Sequence, residues 1–360
     1  MKSTKKVLIY FFIYAVLLQF GLKYLIPGDI IYSYRLKYDL VKDRPTNIEA
    51  VLENIKDTIK REKLDNYVII LGDSVGYSNP GPSDASLAYY FDKRAVEEDK
   101  KFRTFNLSMP AMQTGDIYTV LLKLKEYEIS TDHVIINLIY SGFVERDPTP
   151  PIVYWLQDQL KELDKEAFMV ARPYYNYDKK WYDIDFKNLK NEVVEFGYEN
   201  ISIFKYKDYV QLYLKNIYAK LRSKDVVTTV QPWTEKSFLV DLLQEPMYQK
   251  QFSDKPFVMD DSNPNIYFLD KIIEKQKGKD TLIFMAGINE ELLKNNVESQ
   301  DFQENLKRVN RYFEKKEVNY IDYNGKIDTT WFSDHVHLTP NGYKHLADSL
   351  WKRISNWNLD

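Results

Sequence analysis

The chain has 360 residues, of which 44% are hydrophobic and 29% charged, enough to bury a full core and too apolar for a disordered chain. Its 50 basic and 53 acidic residues leave a net charge of -3 with no Lys/Arg stripe, which gives no reason to expect nucleic acid as a partner. Cysteine is absent, so disulfides, thiolate nucleophiles and Cys-ligated zinc are all removed, and the four histidines (His133, His335, His337, His345) leave few places for an imidazole base.

After Lys2, Lys5 and Lys6 comes VLIYFFIYAVLLQFGLKYLIP, a mostly apolar run interrupted only by Gln19 and Lys23 and long enough to cross the hydrocarbon core of a membrane as a helix. No small-x-small cleavage site follows, so residues 1–27 read as an uncleaved anchor rather than a cleaved signal peptide. Lys23, Arg35, Lys37 and Lys42 follow the run, so positive charge alone does not set its direction. A very short basic tail before a first span usually stays in the cytoplasm, which makes this a single-pass cell-membrane protein with residues from about 28 onward extracytoplasmic.

Thr46-Asn47-Ile48-Glu49 has the form of a capping box, and Ile48, Val51, Leu52, Ile55 and Ile59 continue it as one apolar helix face. Short β-rich runs follow at YVIIL (67–71), RTFNL (103–107), HVIINLIY (133–140), TLIFMA (281–286) and VNYIDY (318–323). Helical spacing lies between them at 84–96, 115–127 and 300–315, the last with Phe302, Leu306, Val309 and Phe313 on one face. This alternation predicts an α/β fold with about five parallel strands and helices on both sides, in one domain over 28–360. The rhythm breaks from about 145 to 275, where DPTPP, many tyrosines and lysine-rich helical pieces predict an inserted helical cap.

Two stretches carry chemistry. VIILGDS is an apolar strand that stops at Gly72-Asp73-Ser74, placing Ser74 at the carboxyl end of a strand, the edge of an open α/β sheet where ligands bind. Far along the chain, SDHVHLTPNGY places Asp334 and His337 in the loop before a last helix, with Thr339 as N-cap and Pro340 in its first turn. A serine hydroxyl needs a base to take its proton, and an imidazole serves best when a carboxylate holds its other nitrogen; Asp334 lies three residues before His337. Asp334-His335-x-His337 could also be read as part of a metal site, but no further acidic or histidine cluster completes it, so neither metal nor cofactor is expected.

Gly-Asp-Ser after the first strand with Asp-x-x-His before the last helix resembles the SGNH/GDSL hydrolase family over roughly residues 65–355. The resemblance implies a flavodoxin-like, three-layer α/β/α fold with Ser74 as nucleophile, His337 as general base and Asp334 as its partner. It also implies an oxyanion site. The family's second motif supplies a glycine N–H, and in NLSMPAM Ser108 takes that position, where its own backbone could donate. The third motif, usually Gly-x-Asn-Asp, supplies an asparagine side chain, and in NLIYSGF only Ser141 stands there. Asn289 is another possible donor, although capping a helix suits it better.

Read this way, the chain is a serine-dependent acyl-transfer enzyme. With water as acceptor it is an esterase or deacetylase; with a sugar or polyol hydroxyl it is an O-acyltransferase. The anchor favours the second, because the arrangement is similar to membrane-anchored proteins of this kind that modify cell-envelope polysaccharides or teichoic acids beside a membrane-bound O-acyltransferase. The third reading is a catalytically weak envelope-assembly protein on the same scaffold, which the gap at Ser141 keeps open.

Overall fold

The computed structural model describes residues 2–145, 151–174, 196–198, 200–221, 229–357 and 359. The chain forms two units: residues 59–176 with 228–360, and residues 1–58 with 177–227, each over its described residues. The expected insertion over 145–275 is therefore divided between them, and residues 147–150 of DPTPP lie outside the described residues.

The larger unit contributes five parallel strands, β1 (Tyr67–Leu71), β2 (Arg103–Asn106), β3 (His133–Leu138), β4 (Asp280–Met285) and β5 (Asn319–Asp322), hydrogen-bonded in the order β2-β1-β3-β4-β5. This is the flavodoxin-like order, and it leaves a crevice at the carboxyl ends of β1 and β3, where the connections leave in opposite directions. All five expected strands are present, each within two residues of its predicted ends.

Successive strand residues face opposite sides, so each apolar strand feeds two cores. Val68, Ile70, Ile135, Leu282, Phe284 and Ile321 form one core with helices α3 (Leu87–Glu97) and α7 (Pro340–Ile354), where Trp351 stacks on Phe102 and meets Phe91 edge-on. On the other side lie α4 (Thr114–Glu126), α5 (Pro264–Lys275) and α6 (Gln300–Lys315); Tyr118 of α4 packs on Phe268 of α5, and Tyr312 of α6 donates to Asp270 of α5 at 2.6 Å. Helix α5, expected within the insertion, is thus a layer helix of the α/β fold. Its buried Ile266, Phe268, Leu269 and Ile272 repeat at helical spacing behind an Asn263 cap and a first-turn proline.

Helix α3 starts three residues later than its periodicity predicts, because Ser86 caps it by accepting the N–H of Tyr89. Asp116 replaces an apolar contact with a polar one: completely buried, it accepts the N–H groups of Gln113, Tyr154, Trp155 and Leu156 and so ties segment 154–156 to the start of α4.

In the smaller unit, α1 (Lys2–Leu25) contains a 21-residue stretch, Lys5–Leu25, long and apolar enough to cross a membrane. A two-residue ladder pairs Tyr32–Ser33 with Arg35–Leu36. The capping box predicted at Thr46 does not form: a 3-10 turn, Pro45–Asn47, runs into helix α2 (Ile48–Glu62), and Thr46 Oγ1 is buried with no hydrogen-bond partner among the described residues. Helices Ser202–Lys205 and Lys207–Leu221 complete the unit. Tyr209, fully buried, donates to Asn47 O, and Asn47 Nδ2 in turn donates to Asp208.

Candidate active site

β1 ends at Gly72, the one residue type that fits there. Its φ is +152°, and a Cβ would come within 2.5 Å of Asn137 Cβ on neighbouring β3. The tight passage turns the chain so that Ser74 emerges over the crevice. Two buried asparagines hold this turn from the adjoining strands: Asn137 Oδ1 accepts Gly76 N–H at 2.8 Å, and Asn106 Nδ2 donates to Gly76 O at 2.7 Å. Asp73 points inward, accepts Val75 N–H at 2.9 Å and is pushed by burial to a pKa of about 6.

The loop after β5 brings the second half of the site. Phe332 and Leu338 form an antiparallel bridge, and Ser333 N–H donates to His337 O, closing residues 333–337 into a compact turn. Inside it, Asp334 Oδ1 accepts the N–H groups of Val336 (2.9 Å) and His337 (2.8 Å), while Oδ2 meets His337 Nδ1 at 2.7 Å. His337 Nε2 lies 2.8 Å from Ser74 Oγ. A carboxylate only accepts, so Nδ1 carries the proton and Nε2 is left to accept from the serine hydroxyl. Burial disfavours a charge on His337, but the hydrogen bond and charge of Asp334 outweigh it and hold the imidazole above its ordinary value. Burial likewise works against ionised Asp334, yet the bond from His337 keeps its pKa well below the usual carboxylate range.

Ser74, Ser141, Asp334 and His337 all line one cavity of about 290 Å³. Ser141 follows β3 in a single turn, Tyr140–Gly142, and its hydroxyl has no hydrogen-bond partner among the described residues. The Ser74 N–H also has no acceptor among them. Ser108 is placed otherwise than the motif implied. It is fully buried, does not line the cavity, and its N–H is donated to Asn106 Oδ1 at 3.0 Å. The cause is Met109 N–H bonding Gly72 O, which carries the chain on beside β1 as an extension of β2 and turns the Ser108 N–H back on Asn106.

Asn289 does not line the cavity either. Its Oδ1 caps the turn at Glu291 and Leu292, and its backbone N–H donates to His335 O at 2.8 Å, so it braces the Asp334–His337 loop.

Sequence reasoning missed the outer wall. Leu239 and Leu242 from one short helix, and Tyr248, Gln251 and Phe252 around a second, close the cavity over Ser74. This segment is fastened to the His337 loop through Trp233 N–H to Phe332 O and Lys236 Nζ to Ser333 O, the latter at 2.7 Å. His335 lies against Tyr248 and Phe252 edge-on, and burial holds it below an ordinary imidazole pKa. The clamping Asn106 and Asn137 were missed too, although their signal was present: a lone amide near the end of an apolar strand has to be spent on something.

No protein-family model matches the sequence, and no curated protein matches it. Among solved structures, the chain is similar to TesA, with 10% identity, a TM-score of 0.38, and coverage of 80% of this chain and 98% of that one. It is similar to a member of the lipolytic protein G-D-S-L family from Veillonella parvula (10%, 0.37, 81% and 98%) and to a lipase/acylhydrolase from Enterococcus faecalis (10%, 0.38, 80% and 95%). Likeness this distant leaves the functional argument to the side chains.

Proposed function

We propose that the chain transfers acyl groups through an ester on Ser74. The observation that carries this reading is the unbroken relay Ser74 Oγ, His337 Nε2, His337 Nδ1, Asp334 Oδ2, with separations of 2.8 and 2.7 Å. His337 takes the hydroxyl proton as Ser74 Oγ attacks the acyl carbonyl, and the resulting imidazolium is held by Asp334. The oxyanion faces the unpaired Ser74 N–H and the Ser141 hydroxyl. His337 returns its proton to the leaving oxygen or sulfur as the donor bond breaks, leaving acyl-Ser74. An acceptor hydroxyl then gives its proton to His337 and takes the acyl group by the reverse steps. Ile139, Leu239, Leu242, Ile288 and Phe252 give the cavity an apolar wall, and its size suits a short acyl chain such as acetyl.

The acceptor we favour is a hydroxyl of a cell-envelope glycan, making the chain a membrane-anchored O-acetyltransferase supplied by a membrane-bound O-acyltransferase. The support is the apolar helix α1, which would hold the chain on a membrane through a single span, with the α/β unit outside the cytoplasm. The test uses the full chain in lipid nanodiscs with an activated acetyl ester, with and without oligosaccharide, beside a Ser74→Ala variant. An acetyl adduct on the wild type alone, with acetylated sugar rising as free acetate falls, is the expected result. Free acetate at the same rate whatever the acceptor makes the chain an esterase, and identical behaviour of the two proteins removes Ser74 as nucleophile. Full transfer with soluble donors alone, no better in membranes carrying the acyltransferase, sinks the partner.

A further inference from the structure

Gln19 stands within the apolar helix α1, six positions before Leu25, so about 9 Å inside that end of the helix at 1.5 Å per residue. A polar amide at that depth needs partners, and it has them in its own chain: Nε2 donates to Asn200 O at 2.9 Å, and Oε1 accepts Ser202 N–H at 3.0 Å. These bonds fix the segment around residue 200 at the level of Gln19. One turn further along α1, Lys23 bonds Asp57 at 2.7 Å and Glu53 at 3.1 Å, and Lys205 reaches Glu53 at 3.2 Å, an ionic cluster that belongs at the wet end.

Phe196, Ile201, Ile203 and Phe204, which flank the Gln19 partners Asn200 and Ser202, are 63, 38, 42 and 42% exposed. Large apolar side chains gathered on a surface mark a contact. We infer that the side chains of Phe196, Ile201, Ile203 and Phe204 dip into the headgroup and acyl boundary of the bilayer beside α1, as a second membrane contact of this chain. A bilayer is the fitting occupant for two reasons. The hydrogen bonds to Gln19 hold the segment at a depth that only lipid fills when α1 spans, and lipid asks for apolar area without a shaped groove. The inference rests on α1 being a membrane span. It gives Gln19 and Lys23, the two interruptions of the apolar run, their purpose: one docks the segment and the other marks the level of the water.

The chain has no cysteine, so single cysteines can carry an environment-sensitive fluorophore on the full-length protein. Labels go on Phe204→Cys, on Leu17→Cys within α1, and on Lys93→Cys on the exposed side of α3. The proteins are reconstituted into phosphatidylcholine vesicles carrying a nitroxide either near the headgroup or near the chain end. We expect Phe204→Cys to be quenched most by the shallow nitroxide, Leu17→Cys by the deep one, and Lys93→Cys by neither. Quenching at Leu17→Cys without any at Phe204→Cys overturns the inference and leaves the anchor standing. No quenching at Leu17→Cys overturns the span itself, and the inference with it.

Discussion

His337 is held above its ordinary pKa by Asp334, and it must be neutral to accept a proton from Ser74. The sign follows: activity rises with pH as the imidazolium loses its proton, and the acid limb of the rate profile lies above pH 6.5, the ordinary imidazole value. In Asp334→Asn the partner charge that raises the imidazole is gone, so the limb moves to lower pH and the rate falls on the order of 10^3 to 10^4-fold. A rate profile of both proteins with an activated ester checks this; an unmoved limb would assign it to another group. In the proposed mechanism the Ser141 hydroxyl, which lines the cavity, stands in for an oxyanion amide. Ser141→Ala should lower kcat by about 10^2-fold at nearly constant KM, a loss of about 2.7 kcal/mol in the transition state. An unchanged kcat would mean that backbone donors suffice.

Four of the five strands of the α/β unit deliver parts of the site from their carboxyl ends: β1 gives Ser74, β3 gives Ser141, β4 gives Ala286 and Ile288, and the loop after β5 gives Asp334 and His337. The join between β1 and its turn is the narrowest point. Gly72→Ala sets a methyl 2.5 Å from Asn137 Cβ and 2.9 Å from its carbonyl oxygen, which is backbone and cannot swing away. The cost should be about 3 kcal/mol in urea unfolding, with the remaining folded protein slowed because the Ser74 turn has shifted. Wild-type stability in that variant would show that β1 and β3 can part without loss. The five strands were legible because parallel strands buried on both faces are plain apolar runs between helical repeats. The start of α3 and the identity of α5 were less so, the first being decided by one serine cap and the second by its partner Tyr118, far away in the chain.

At the scale of the whole molecule, two buried carboxyls and one largely buried one oppose the usual trend of stability with pH. Burial raises Asp73 and Asp116 to about 6 and Asp92 to about 7. A carboxyl whose folded pKa is raised contributes stability that is fully present below its unfolded value and is lost as pH rises through the folded one. For Asp92 that window runs from 3.8 to about 7. Asp92→Asn keeps the oxygen that accepts Thr104 N–H and removes the proton, so its unfolding free energy should fall less than that of the wild type between pH 4 and 8. Equal slopes for the two proteins would place the titration elsewhere.

The sequence by itself determined the layer architecture, the apolar N-terminal helix, and the meeting of Ser74 with Asp334 and His337. Each is written in a short pattern: a strand length, a helical period, a three-residue spacing, and motifs at opposite ends of an α/β alternation whose strand ends share one edge. Only the tertiary structure decided that Ser108 turns its N–H onto Asn106 while Ser141 faces the cavity, that residues 239–252 wall it, and that Asn106 and Asn137 clamp the turn carrying Ser74. It likewise decided that Gln19 bonds to Asn200 and Ser202. These outcomes depend on strand register and on hydrogen bonds between residues up to about 180 positions apart, and a buried polar group takes whichever partner the packing brings within 3 Å.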